Sequence, residues 1–202
     1  PIPKVLLHDH LDGGLRPATV LELAAETGYD GLPADDAARL ADWFDQSASA
    51  SLVGYLAAFD QTVAVMQTPA ALHRVARETV EDLASDGVVY AEIRFAPSLH
   101  LQRGMSRREA IEAVTAGLAE GERVTGMAAR AIVDAMRHEA DSLEVAEAAA
   151  EFAGQGVVGF DLAGPEAGYP ASAHRPALEQ AREAGLHLTI HAGEADGPAS
   201  IA

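Results

Sequence analysis

Two histidines two residues apart, His8 and His10, are the sharpest chemical signal in this 202-residue sequence. On a β-strand, residues i and i+2 point to one face, so the two imidazoles can share a metal ion. Two surface histidines on a strand end are the plainer account of such a pair. That account weakens because His191 offers a third imidazole at the end of another apolar run. Catalytic zinc commonly takes three protein ligands and keeps a position for water, whose pKa it lowers toward neutrality. The sequence has no cysteine, so a metal here must be held by histidine and carboxylate.

Glu194 follows His191 by three residues. It does not share the inner face as a ligand, but it can reach over a substrate as a general acid. A surface loop carboxylate is the competing account. Gly164, in Asp161-Leu162-Ala163-Gly164, reads either as a turn glycine or as a place where a flat ligand touches bare backbone. Phe59 and Leu56 fall on a helical pattern. Ordinary helix packing is the stronger account of them, and lining an apolar pocket mouth is the alternative. His138 follows a strand exit and suits a supporting role. His73, His100, His174 and His187 have no motif around them and read as surface or core histidines.

These groups need elements to carry them. Val5-Leu6-Leu7 reads as a short buried strand, and Pro17 opens a helix that closes at Gly28. A short helix is expected over 35–44. Ser51 suits the N-cap of a helix with apolar positions 52, 56, 59, 63 and 66. Thr68-Pro69 opens another helix, closing near Gly87. Then strand and helix alternate. Strands are expected at 88–95, 128–134, 157–162 and 186–192. Ser106 with Glu109 forms a capping box for a helix to about Val124. Asp141 with Glu144 suits a cap for a helix to about Ala153. A helix is expected over about 173–184, and Pro198 opens a further one.

Five near-continuous apolar strands, each followed by helix, suit a parallel sheet covered on both faces. Polar residues collect at the C-terminal end of every strand, as in (β/α)8 barrels. A doubly wound sheet usually places a glycine-rich phosphate loop at its crevice, and the sequence has none.

Composition narrows the partners. The formal charge is −17, from 14 basic and 31 acidic side chains, and Lys4 is the one lysine. That balance argues against nucleic acid. No apolar run is long enough to span a membrane. No signal-peptide pattern opens the sequence, so a cytoplasmic setting is expected.

The run Lys4 to Gly14, with His8-Asp9-His10-Leu11-Asp12-Gly13, resembles the opening motif of adenosine deaminases of the metal-dependent amidohydrolase superfamily. Residues 54–60, 87–95, Asp161 to Gly164 and His191-Ala192-Gly193-Glu194 match in order and spacing. The resemblance spans essentially the whole chain, and the paired H-x-H-x-D-G and H-A-G-E motifs are highly specific. It implies a (β/α)8 TIM-type barrel, here the first five strand–helix units of one incomplete domain over 1–202, with a helical insertion between the first and second strands. It also implies one zinc ion held by His8, His10 and His191, and hydrolysis of adenosine or 2′-deoxyadenosine to inosine or 2′-deoxyinosine and ammonia. Metal-bound hydroxide attacks purine C6 in that chemistry. The resemblance makes Glu194 the acid that protonates the neighbouring ring nitrogen, Asp12 the ribose-hydroxyl contact and Gly164 the backbone contact to the purine. His10 and Phe59 then lie beside the substrate. Asp9 departs from the apolar or small residue of many relatives and is expected to point away from the metal.

The family's later His-Gly-His and Asp-Asp stretches do not occur here, so these 202 residues alone are expected to be inactive. Related substrates, namely adenine, AMP or an aminofutalosine-type nucleoside, form the nearest alternative; Asp12 favours a nucleoside. A non-catalytic half-barrel binding protein is the alternative from another class.

Overall fold

In a computed structural model, residues 2–50 and 52–201 are described, with side chains described outside 46–58. Five parallel strands lie side by side in sequence order: β1 (Lys4–His10), β2 (Val88–Phe95), β3 (Ala128–Met136), β4 (Val157–Ala163) and β5 (His187–Leu188). Helices α5 (Arg107–Thr125), α6 (Ser142–Ala150) and α7 (Arg175–Glu183) fill the crossovers after β2, β3 and β4. The insertion between β1 and β2 holds α1 (Pro17–Thr27), α2 (Ala37–Ala50), α3 (Leu52–Val65) and α4 (Pro69–Ser85). These are consecutive strand–helix units of a (β/α)8 barrel, as the polar strand ends and the family resemblance imply. None of the described helices is long and apolar enough to cross a membrane.

The inner strands are legible as apolar runs because both faces are covered. Ala91, Ile93, Ala131, Val133, Ala135, Phe160 and Leu162 are buried, and Leu72, Val75, Ile111, Val114 and Val145 pack from the helices. The edge strand differs. Val5 and Leu7 are 59% and 56% exposed, so the expected buried run at β1 is buried only in part, at Leu6. β1 also extends through His10, which places both histidines within the strand.

Several local expectations hold in detail. Ser106 and Glu109 form the reciprocal capping box of α5, and Thr68 caps α4 by accepting the Ala71 amide. Asp141 is a correction. It stands at the N-cap of α6 but makes no capping bond. Its carboxylate is taken by Ser98 Oγ and Arg107 Nη2, both at 2.6 Å. That helix also stops at Ala150, because the chain turns at 151–156 to feed β4. α2 is longer than expected, α3 ends one residue before Met66, and a 3-10 turn at 171–174 precedes α7. After Pro198 there is a 3-10 turn over 198–200 and no α-helix among the described residues. Ser51 lies outside the described residues, as does the side chain of Leu56.

Candidate metal centre and active site

β5 is the other correction, and it shapes the site. Ladder pairing stops at Leu188, plus one bond from Thr189 to Phe160. Beyond it the His191 amide leaves the ladder and donates to Asp161 Oδ1 at 3.0 Å. Asp161 Oδ2 stands 2.7 Å from His191 Nδ1. The Arg137 guanidinium also donates to the His191 carbonyl. The histidine is therefore held by side chains at the ends of β3 and β4.

His10 ends the first strand of the sheet and His191 follows the last. Four inter-strand gaps of a flat sheet would separate them by about 19 Å. Instead their Nε2 atoms are 3.3 Å apart, and His8 Nε2 is 3.1 Å from His10 Nε2. The sheet is curled, and the curl brings the three imidazoles together. One ligand atom from each lies within 4.8 Å of the others.

A tetrahedral zinc with arms of about 2.0–2.1 Å separates its ligand atoms by about 3.3 Å, which the His8–His10 and His10–His191 separations match. The carboxylate beside His191 Nδ1 favours a proton there and leaves Nε2 with its lone pair. Burial, then the neighbouring imidazoles, lowers the His10 pKa to about 4. Burial likewise lowers that of His8, with Arg94 adding to the effect and Glu194 opposing it. Neutral imidazoles are the form a metal requires.

The remaining expected residues fall as follows. Phe59, on α3, presents its ring edge-on to His10 with centroids 6.5 Å apart. Asp12 follows β1 on a 3-10 turn, its Oδ1 is buried without a protein partner, and burial pushes its pKa up to about 6. Gly164 ends β4 with φ +84°, its backbone exposed. A Cβ there would lie 3.0 Å from Met136 Cε and 3.2 Å from His138 Nδ1, which places His138 against this turn. Glu194 is exposed in the turn after β5. Asp9 is half-buried beside the pair and is outside the three-histidine group.

Below the histidines lies a charged layer. Arg94 is 1% exposed, donates to Asp161 and to the Leu7 carbonyl, and so neutralises the carboxylate that holds His191. Asp134 pairs in register with Asp161 and is also buried. Desolvation, then the Asp161 charge, holds the Asp134 carboxyl well above the ordinary range. The four histidines without a motif divide as expected. His100 and His174 are buried, while His187 is exposed and His73 pairs with Glu120 at the surface.

Arg94, Asp134 and Asp161 are among the polar residues at the strand ends to which the sequence assigned no role. Sequence reasoning missed Glu166. This residue is 6% exposed and takes hydrogen bonds from the turn that carries Glu194. No side-chain motif marks it, because most of its partners are backbone amides.

Comparison with known proteins identifies the family. An adenosine deaminase from Mycobacterium ulcerans is 60% identical over 98% of this chain, which spans 57% of that protein's length. Adenine deaminase from Arthrobacter aurescens superposes with TM-score 0.85 at 28% identity, covering 100% of this chain and 61% of that one. An amidohydrolase from Burkholderia ambifaria, with bound Zn, superposes with TM-score 0.83 at 26% identity, covering 96% and 52%. The adenosine deaminase family model matches residues 3–202, so the chain belongs to the adenosine deaminase family.

Proposed function

We propose that this chain supplies the zinc-binding histidines and the general acid of a hydrolytic deaminase that converts adenosine or 2′-deoxyadenosine to the inosine counterpart and ammonia. The observation that carries the reading is the convergence of three imidazoles, with His10 Nε2 3.1 Å from His8 Nε2 and 3.3 Å from His191 Nε2. His8, His10 and His191 would hold one zinc ion. A bound zinc ion supplies a water acidified to near neutrality at the reacting carbon.

The chain's own residues do the rest. Glu194 donates a proton to the purine ring nitrogen next to the carbon under attack, which makes that carbon electrophilic. Gly164 offers backbone to the purine edge, with no side chain to hold it off. Asp12 Oδ1, buried and without a protein partner, accepts from a ribose hydroxyl. Phe59 covers the apolar side of the mouth and excludes water from the ring. Asp161 orients His191 beside the metal, and Arg94 holds Asp161 in place by a buried ion pair.

The Arthrobacter neighbour supports a second reading, with adenine as substrate. An accepting carboxylate at Asp12 argues for the nucleoside, because free adenine has no hydroxyl to offer it. The test is made on the protein as the cell produces it. Zinc is counted by elemental analysis, and ammonia release is followed with adenosine, adenine and AMP. One zinc per chain and preference for adenosine are expected. Absence of zinc sinks the enzyme reading, and preference for adenine sinks the substrate.

A further inference from the structure

We propose that Glu166 is a positioning residue for Glu194, fixing the backbone on both sides of the proton donor. The proposal deepens the deaminase reading and rests on it.

Glu166 leaves the end of β4 two residues after Gly164, and its carboxylate is lodged inside the turn that follows β5. Oε1 accepts the Gly193 amide at 2.6 Å and the Ser200 hydroxyl. Oε2 accepts the Ala195 amide at 2.8 Å and the Asp196 amide at 3.0 Å. Four donors fill the acceptor positions of one carboxylate. All of them come from residues 193–200. The amides immediately before and after Glu194 are bound to opposite oxygens of the same group. Glu194 itself gives the carboxylate nothing, and its side chain stays exposed.

The turn has little freedom to find this shape alone. Gly193 has φ +82°, and a Cβ there would stand 2.6 Å from Ile201 Cδ1. Such a backbone is held by its partners, and the partner here is one anion. Its hydrogen bonds, led by Ser200 and the Ala195 amide, bring the Glu166 pKa down to about 2, so the anion persists through the working range of any enzyme. A proton donor needs its oxygen placed to within a fraction of an ångström. Misplacement by about 1 Å costs roughly 10²-fold in rate.

The experiment compares Glu166→Gln and Ser200→Ala with the wild type in the zinc-loaded, naturally produced protein. Gln keeps the size but turns an NH2 toward backbone amides, breaking one half of the cradle. Ser200→Ala removes a single donor and leaves the three amide bonds. Three quantities are read: zinc content, kcat and KM for adenosine, and amide hydrogen exchange over 193–196. For Glu166→Gln, kcat is expected to fall roughly 10²-fold with zinc and KM unchanged. Exchange over 193–196 is expected to rise roughly tenfold or more. Ser200→Ala should move both in the same direction by a few-fold.

An unchanged kcat in Glu166→Gln, beside an active wild type, overturns the proposal alone. Loss of zinc or a rise in KM to match the fall in kcat also overturns it, since that marks a general structural role. If Glu166→Gln does not fold, Ser200→Ala with loosened amides and unaltered kcat overturns it. A zinc-loaded wild type that does not turn over adenosine overturns the deaminase reading, and the proposal with it.

Discussion

Asp161 holds His191 at two points. Oδ1 accepts the histidine's backbone amide at 3.0 Å, and Oδ2 stands 2.7 Å from its ring Nδ1. One carboxylate thus anchors the backbone of His191 by a hydrogen bond and sets a negative charge beside its ring. Asp161→Asn should weaken zinc by about 10–100-fold, the scale for a lost ligand orienter. It also leaves Arg94 buried without its counter-charge, at a cost of about 3–5 kcal/mol. Competition with a zinc chelator reads the first effect and denaturant unfolding the second. Full zinc affinity in the variant would show that the contact orients nothing.

Gly164→Ala tests the bare backbone at the end of β4. The residue sits at φ +84°, where a side chain costs about 1–2 kcal/mol, and its new Cβ would press on Met136 and His138. The variant should unfold earlier in denaturant, and its KM for the nucleoside should rise while zinc content stays full. A KM equal to that of the wild type would remove Gly164 from the substrate surface.

His100 makes acid sensitivity measurable away from the metal. It is 1% exposed, and burial lowers its pKa from 6.5 to about 4 against the opposing Met66 backbone bond. The unfolded chain therefore binds this proton more readily than the folded one. Stability is complete above the unfolded pKa and is lost as pH falls through the folded value. The loss amounts to about 3 kcal/mol between pH 6.5 and 4. Unfolding of the wild type and of His100→Gln, compared across that window, should show the slope in the wild type and a flatter line in the variant.

Asp134 runs the other way. Its carboxyl is raised, so the folded state keeps the proton that the unfolded chain releases. Its contribution is best at acid pH and declines as pH rises above the ordinary aspartate value. Asp134→Asn should be more stable than the wild type at neutral pH, and the advantage should vanish in acid. A variant less stable than the wild type at neutral pH would mean that Asp134 works as an anion there.

Local patterns with local causes were readable in the residues. β2 runs from Val88 to Phe95, and the Ser106–Glu109 box starts α5, because each depends on neighbours in sequence. Asp141 failed as a cap because Arg107, 34 residues away, competes for its carboxylate. β5 fell short because Asp161 withdraws an amide from the ladder. The three clustered histidines could be picked from spacing and strand ends. Their meeting depends on the curl of the sheet, which no single segment encodes. Phe59 shows the same limit. Helical spacing cannot tell a packing ring from one facing His10, and only the placement of α3 decides.

The partnership of β1 with β5 bears on the order of folding. His10 and His191 are 181 positions apart, and every strand between them must be in register before their nitrogens meet. Contacts of such long sequence separation form late, because the intervening chain must first be ordered. The three-histidine cluster thus forms only once the sheet is assembled. A chain with any of the three inner strands misregistered presents scattered histidines, so metal uptake during refolding reports completion of the curled sheet.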